Sequence, residues 1–259
     1  MKRLAILAAT ILLVGCGTAT SQGDQSSATP SATVSPSATQ ATLGESIVFA
    51  AASLNKVFPE ITGDADINYS FDGSSGLVDQ LKGGAPADVF ASADQMNMDK
   101  AVEAGLIDGE PQMFATNYLV IAVPAGNPAN VTGLDASLDG TKLVVCAAEV
   151  PCGAATARIT EANGVTLSPV SEESNVTDVL GKVTSGEADA GIVYATDATS
   201  AGDKVETFEI PGAKEDPNTY WIALVKDAPD KAAGQAFIDL ILSAEGQAKL
   251  AGYGFGAPQ

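Results

Sequence analysis

From residue 46 onward, short apolar runs alternate with stretches of helical spacing. Residues 47–50 read as a strand, and 54–61 as a helix that Pro59 bends or shortens. Residues 67–71 alternate in strand fashion and 77–82 carry helical spacing; 89–91 is a strand, and 95–104 a helix that Gly105 stops. Residues 118–123 form a long apolar strand ended by Pro124. A second series follows, with a strand at 143–145, helices at 154–162 and 176–184, and a strand at 191–194. Residues 221–225 are a strand again, and 231–242 and 247–250 are helical.

This alternation predicts an α/β protein of mostly parallel sheets with helices on both faces. Two series suggest two lobes, residues 45–120 with 221–259 and residues 121–220. A chain whose last strand and helices return to the first lobe crosses twice, and the crossings form a hinge. One continuous sheet is the alternative.

The first 44 residues follow neither pattern. Lys2 and Arg3 precede an apolar run over 4–14 that ends Leu13-Val14-Gly15-Cys16. The run is too short to cross about 30 Å of hydrocarbon and suits a secretory signal peptide, residues 1–15. Its ending resembles a bacterial lipobox, which implies cleavage before Cys16 and lipidation of that residue. Seventeen of the 28 residues from 17 to 44 are Ser, Thr or Ala, with one charge, Asp24. Residues 16–44 therefore read as a flexible tether of roughly 30 Å. The expectation is an extracytoplasmic protein held at the cell membrane by lipid.

Composition removes several function classes. The chain of 259 residues has 13 Lys+Arg against 32 Asp+Glu, a formal net charge of −19, two lower without Lys2 and Arg3. No basic stripe is available for nucleic acid. No histidine is present, which excludes Ser-His-Asp and Cys-His nucleophiles and histidine-bound metals. With Cys16 used for lipid, Cys146 and Cys152 form an even pair in an oxidising compartment and are expected to close a small disulfide loop. Two buried thiols are the alternative.

Candidate chemistry sits where strands hand over to helices. Ser53 follows Ala50-Ala51-Ala52, Ser74 and Ser75 follow Asp72-Gly73, Cys152 follows Val150-Pro151, and Val176 follows Glu173-Ser174-Asn175. In an open α/β sheet such junctions line the crevice at the carboxyl ends of the strands. Each offers unpaired N–H groups and the positive end of a helix dipole, an anion-binding arrangement. Taken singly, Ser53, Ser74 and Asn175 are equally ordinary N-cap residues.

Three runs carry a family resemblance: Ala50-Ala51-Ala52-Ser53-Leu54, the stretch from Ala85-Pro86-Ala87-Asp88 to Ser92-Ala93-Asp94, and Gly191-Ile192-Val193-Tyr194-Ala195-Thr196-Asp197-Ala198. With the closing Gly252-Tyr253-Gly254-Phe255, they resemble bacterial molybdate-binding proteins, the extracytoplasmic receptors of ATP-driven (ABC) molybdate importers. The resemblance spans about residues 45–257. It implies a two-lobed, hinged, type II periplasmic-binding-protein-like fold that grips molybdate or tungstate and delivers it to a membrane permease. It further implies a monomer that is not an enzyme, has no cofactor and places no protein ligand directly on molybdenum. The implied contacts are the hydroxyls and N–H groups of Ser53 and Ser74, the backbone N–H of Cys152 and Val176, and the phenol of Tyr194. Ser75 could share or replace the role of Ser74, because the family's longer serine run is Gly73-Ser74-Ser75-Gly76 here. Cys152 stands where alanine is usual.

Molybdate at neutral pH is a deprotonated dianion, so an all-donor pocket satisfies it, whereas protonated phosphate would leave a buried group unpaired. Asp72, Asp79, Asp88 and Asp94 match no calcium loop and read as solvated surface carboxylates. Arg158 reads as a surface salt-bridge partner, and Tyr118, Tyr220 and Trp221 as packing between the lobes. The alternatives to molybdate are the same fold binding sulfate or a small organic acid, or a serine hydrolase with Lys56 or Lys82 as base to Ser53, Ser74 or Ser75.

Overall fold

Residues 43–258 are described by a computed structural model. The expected signal segment 1–15, Cys16 and all but the last two residues of the tether lie outside them. The chain begins with β1 (Ser46–Ala51), a 3-10 turn (Ala52–Leu54), α1 (Val57–Thr62), β2 (Ile67–Asp72), α2 (Ser74–Lys82), β3 (Val89–Ser92), α3 (Gln95–Glu103) and β4 (Ile107–Asn117). It continues through β5 (Leu119–Pro124), β6 (Leu143–Cys146), α4 (Pro151–Ala162), β7 (Ser171–Glu173), α5 (Val176–Ser185), β8 (Ala190–Tyr194), α6 (Ala195–Ala201) and β9 (Val205–Glu209). It closes with β10 (Asn218–Val225), α7 (Lys231–Leu242) and α8 (Ala244–Gly252).

The strands make two five-stranded sheets, ordered β2-β1-β3-β10-β4 and β7-β6-β8-β5-β9. The chain passes from the first sheet to the second at Tyr118 and back between Glu209 and Asn218. Leu119 and Val120 thus pair in the second sheet and Asn218 to Tyr220 in the first, a few residues from the boundaries read in the sequence.

The sheets are mixed rather than mostly parallel. β1 runs parallel to β2 and β3, and β6 to β7 and β8. β10 is antiparallel to β3 and β4, and β5 to β8 and β9. β5 and β10, the strands entered straight from the other sheet, run against both neighbours, whereas strands joined by an α-helix within one sheet run alike.

The period of two along β1 sorts the first lobe's core onto both faces of its sheet. Val48 and Ala50 pack with Phe58, Phe114 and Phe237 on one side. Phe49 packs with Leu77, Phe90 and Met98 on the other. The second lobe closes over Ile121, Val144, Ile192 and Val193, and that cluster also takes in Ala52 from the first lobe.

Two carboxylates read as solvated are interior. Asp88 is 1% exposed and accepts the N–H groups of Ile47 at 2.7 Å and Asp230 at 2.6 Å, tying α7 to β1. Asp94 is buried and caps α3 through the Asn97 N–H at 3.0 Å. At the other end of the chain, Gly256 exchanges two backbone hydrogen bonds with Thr116, both 2.9 Å, and Phe255 packs edge-on against Tyr220. Among the described residues, no helix is long and apolar enough to cross a membrane.

Candidate functional site

The strand-to-helix junctions of the two sheets meet around one hollow. This narrow hollow is walled by Ala52, Ser53, Asp72, Gly73, Ser74 and Ala93 from the first lobe, and by Val150, Cys152, Asn175, Val176 and Tyr194 from the second. Ser53, Ser74, Cys152, Val176 and Tyr194, far apart in the sequence, are therefore together. Ser75, half-buried one residue further into α2, is not part of this wall.

The helix starts explain why donors collect here. α2 has Gly73 as its N-cap and α4 has Val150, and neither makes a side-chain cap. Their first N–H groups lie outside the helices' own ladders and need an acceptor from elsewhere. Pro151 opens α4 without an N–H, so Cys152 carries the first available donor of that helix. The capping role read for three residues holds for Asn175 alone, whose side chain accepts the Asp178 N–H at 3.0 Å.

A disulfide joins Cys146, at the end of β6, to Cys152 in the first turn of α4. The loop between them lies so close to the helix that a Cβ on Gly153 would sit 1.8 Å from the Ala147 carbonyl oxygen. The start of α4 is thereby pinned to its strand.

The three hydroxyls of the wall are each held by a partner. Ser74 Oγ accepts the Ala93 N–H at 3.0 Å. Ser53 Oγ lies 2.8 Å from the Tyr220 hydroxyl, which in turn accepts from Asn117 Nδ2 at 3.4 Å. The Tyr194 hydroxyl accepts from Asn218 Nδ2 at 2.7 Å. Both phenols are buried, and loss of solvent pushes their pKa values well up, so they remain O–H donors. Tyr220, Asn117 and Asn218 were not read as site residues, since only the pairing of β10 with β4 brings them here.

One carboxylate lines the hollow. Asp72 Oδ1 accepts the Gly73 N–H at 2.7 Å and the Asn175 amide at 3.4 Å, donors from both lobes, while Oδ2 meets the Gln80 amide at 3.4 Å. Arg158 does not reach the hollow. Its guanidinium bridges Asp216 at 2.6 Å and Asn218 Oδ1 at 3.0 Å. Asp197, next to this layer, is buried with Oδ2 unpaired, and burial raises its pKa to about 7. Among the described residues, no cluster of three or more metal-ligating side chains exists.

A pocket of hydroxyls and helix N-termini without a cation suits a compact, fully deprotonated oxyanion. Each helix end contributes about 0.3–1 kcal/mol, and each charge-assisted hydrogen bond about 1.5–3 kcal/mol.

The family model described as bacterial extracellular solute-binding protein matches residues 42–256. The molybdate-binding protein ModA of Mycobacterium tuberculosis is 45% identical over 220 residues, covering 82% of this chain and 84% of that protein. The molybdate-binding protein ModA of Escherichia coli is 32% identical over 229 residues, 82% of this chain and 89% of that one. Among solved structures, the periplasmic molybdate-binding protein of Azotobacter vinelandii superposes with a TM-score of 0.69 at 21% identity, covering 83% of this chain and all of that one. That likeness shows the fold.

Proposed function

The chain belongs to the bacterial extracellular solute-binding proteins, in the family of the molybdate-binding proteins it matches, and from that premise we propose that its hollow captures molybdate for an ABC importer. It is a transport receptor and not an enzyme; its ligand is an oxyanion, and no cofactor is called for. The observation that carries the assignment is the convergence of donors from both sheets on one small space.

In this reading Ser53 and Ser74 hold the anion from the first lobe. Cys152 and Val176 hold it through backbone N–H groups from the second, with the Tyr194 phenol. Residues near Tyr118 and 210–217 act as the hinge, and the anion stabilises the closed state by bridging the lobes. Tungstate, of the same shape and charge, is bound as well. The protein works as a monomer, held outside the cytoplasm at the cell membrane by lipid on Cys16 after removal of residues 1–15.

Molybdate at 100 times its dissociation constant is expected to stabilise the protein by about 2.7 kcal/mol, a Tm rise of about 5–10 °C. Thermal unfolding with molybdate, tungstate, sulfate and phosphate checks this, and equal shifts from molybdate and sulfate refute the specificity. Ser53→Ala and Tyr194→Phe are each expected to weaken molybdate binding by about tenfold or more while sparing the ligand-free fold. Calorimetric titration reads the effect, and unchanged affinity in both variants removes these residues from the site.

A further inference from the structure

We propose that Asn218 and Tyr220 are positioning residues that leave the Tyr194 and Ser53 hydroxyls no acceptor but the ligand, so that the site refuses oxyanions carrying a proton. The inference rests on the molybdate reading above and adds the residues that set its selectivity.

A hydroxyl can donate or accept, and nothing in a serine or tyrosine alone fixes which it offers a ligand. Here the neighbours decide. The Asn218 amide cannot turn over: Oδ1 faces the guanidinium of Arg158, which has only donors, at 3.0 Å. Its NH2 faces the carbonyl oxygens of Ala93 at 3.2 Å and Pro151 at 3.3 Å. Nδ2 must therefore donate to the Tyr194 oxygen, and the phenol proton is left to the hollow.

The same logic runs through the second chain. Asn117 Oδ1 accepts the Tyr118 N–H at 3.0 Å, which turns its NH2 towards Thr196 Oγ1 at 2.8 Å and the Tyr220 hydroxyl. With that amide on its oxygen, Tyr220 is placed to give its proton to Ser53, 2.8 Å away, an assignment that leaves the Ser53 proton for the ligand. Ser74 is in the same state, since its oxygen already accepts a backbone N–H.

A fully deprotonated tetrahedral anion accepts all three protons. Hydrogen phosphate must donate one of its own; a hydroxyl that takes it keeps a buried proton without a partner, and the carboxylate in the wall, Asp72, already accepts from Gly73 and Asn175 through Oδ1. Sulfate carries no proton at neutral pH and serves as the control for size and charge.

The test is calorimetric titration of the soluble mature protein and its Asn218→Asp variant with sodium molybdate, sulfate and phosphate at pH 7. Asn218→Asp replaces the donor to Tyr194 by an acceptor of nearly the same shape, with Arg158 beside it to balance the charge. The phenol then donates to the new carboxylate and turns its oxygen to the ligand. The ratio of the phosphate to the molybdate dissociation constant is expected to fall about tenfold or more, while the sulfate-to-molybdate ratio holds. Asn218→Ala, which frees the Ala93 and Pro151 carbonyls for the phenol proton, shifts the first ratio in the same direction and guards against misfolding of the aspartate variant. Variants that weaken all three anions in parallel, or that keep the original phosphate ratio, overturn the proposal. A native protein that binds phosphate as tightly as molybdate overturns the molybdate reading instead.

Discussion

Replacing Gly73 with alanine is expected to lower molybdate affinity by about a hundredfold or more while leaving the unliganded protein folded. Gly73 has φ −60° and ψ 138°, extended backbone open to any residue, so the first lobe has no local objection to a side chain. The obstacle lies across the cleft. A Cβ on Gly73 would stand 2.2 Å from the Ser174 carbonyl oxygen and 3.3 Å from Val150 Cγ1, both in the second lobe. The lobes would have to stay apart, carrying Cys152, Val176 and Tyr194 away from an anion held at Ser53 and Ser74. Losing two or more charge-assisted hydrogen bonds, each worth about 1.5–3 kcal/mol, accounts for the magnitude. Urea unfolding without ligand should match the parent within about 0.5 kcal/mol. Wild-type affinity in the variant would show that this contact does not limit closure.

The second large effect concerns pH and Asp197. Burial raises its pKa from 3.8 to about 7 in the folded protein, and one carboxylate oxygen has no partner. Between those values the folded state keeps a proton that the unfolded chain has lost. The group's contribution is thus fully present below pH 3.8 and is lost as pH rises through about 7, at about 1.4 kcal/mol per unit and about 4 kcal/mol in all. Paired carboxylates elsewhere titrate in the opposite sense, so the difference between parent and Asp197→Asn is the quantity to measure. Denaturant titrations from pH 4 to 7 should show the variant gaining on the parent as pH rises. Parallel pH profiles would mean that Asp197 is charged and satisfied in the fold.

The sequence announced the buried framework better than its edges. β1, β3, β5, β6 and β8 are short apolar runs, and the residues that follow β1 and β6 marked the junctions of Ser53 and Cys152, whereas Tyr194, the last residue of β8, came only with the family resemblance. β4 went unread because Gly109 and Pro111 interrupt a half-exposed segment that looks like a loop. β9 alternates with charged residues at a sheet edge and gives a weak signal. Strand direction was misjudged because an apolar run has the same pattern whichever way its neighbour points. Asn117, Asn218 and Tyr220 carry no local mark of function. Their roles exist only once β10 lies between β3 and β4 and sets their polar ends behind the hollow. Asp88 and Asp94 were misplaced for a related reason, since backbone N–H groups rather than charged partners make their burial tolerable.

The bond between Cys146 and Cys152 ties the start of α4 to the end of β6 across a six-residue step, a brace that depends on the compartment. In a reducing cytosol such a link does not persist, and the turn that presents the Cys152 N–H has only its loop contacts to hold it. On the function proposed above, oxidation thus sets the second lobe's backbone donor in place before any anion arrives.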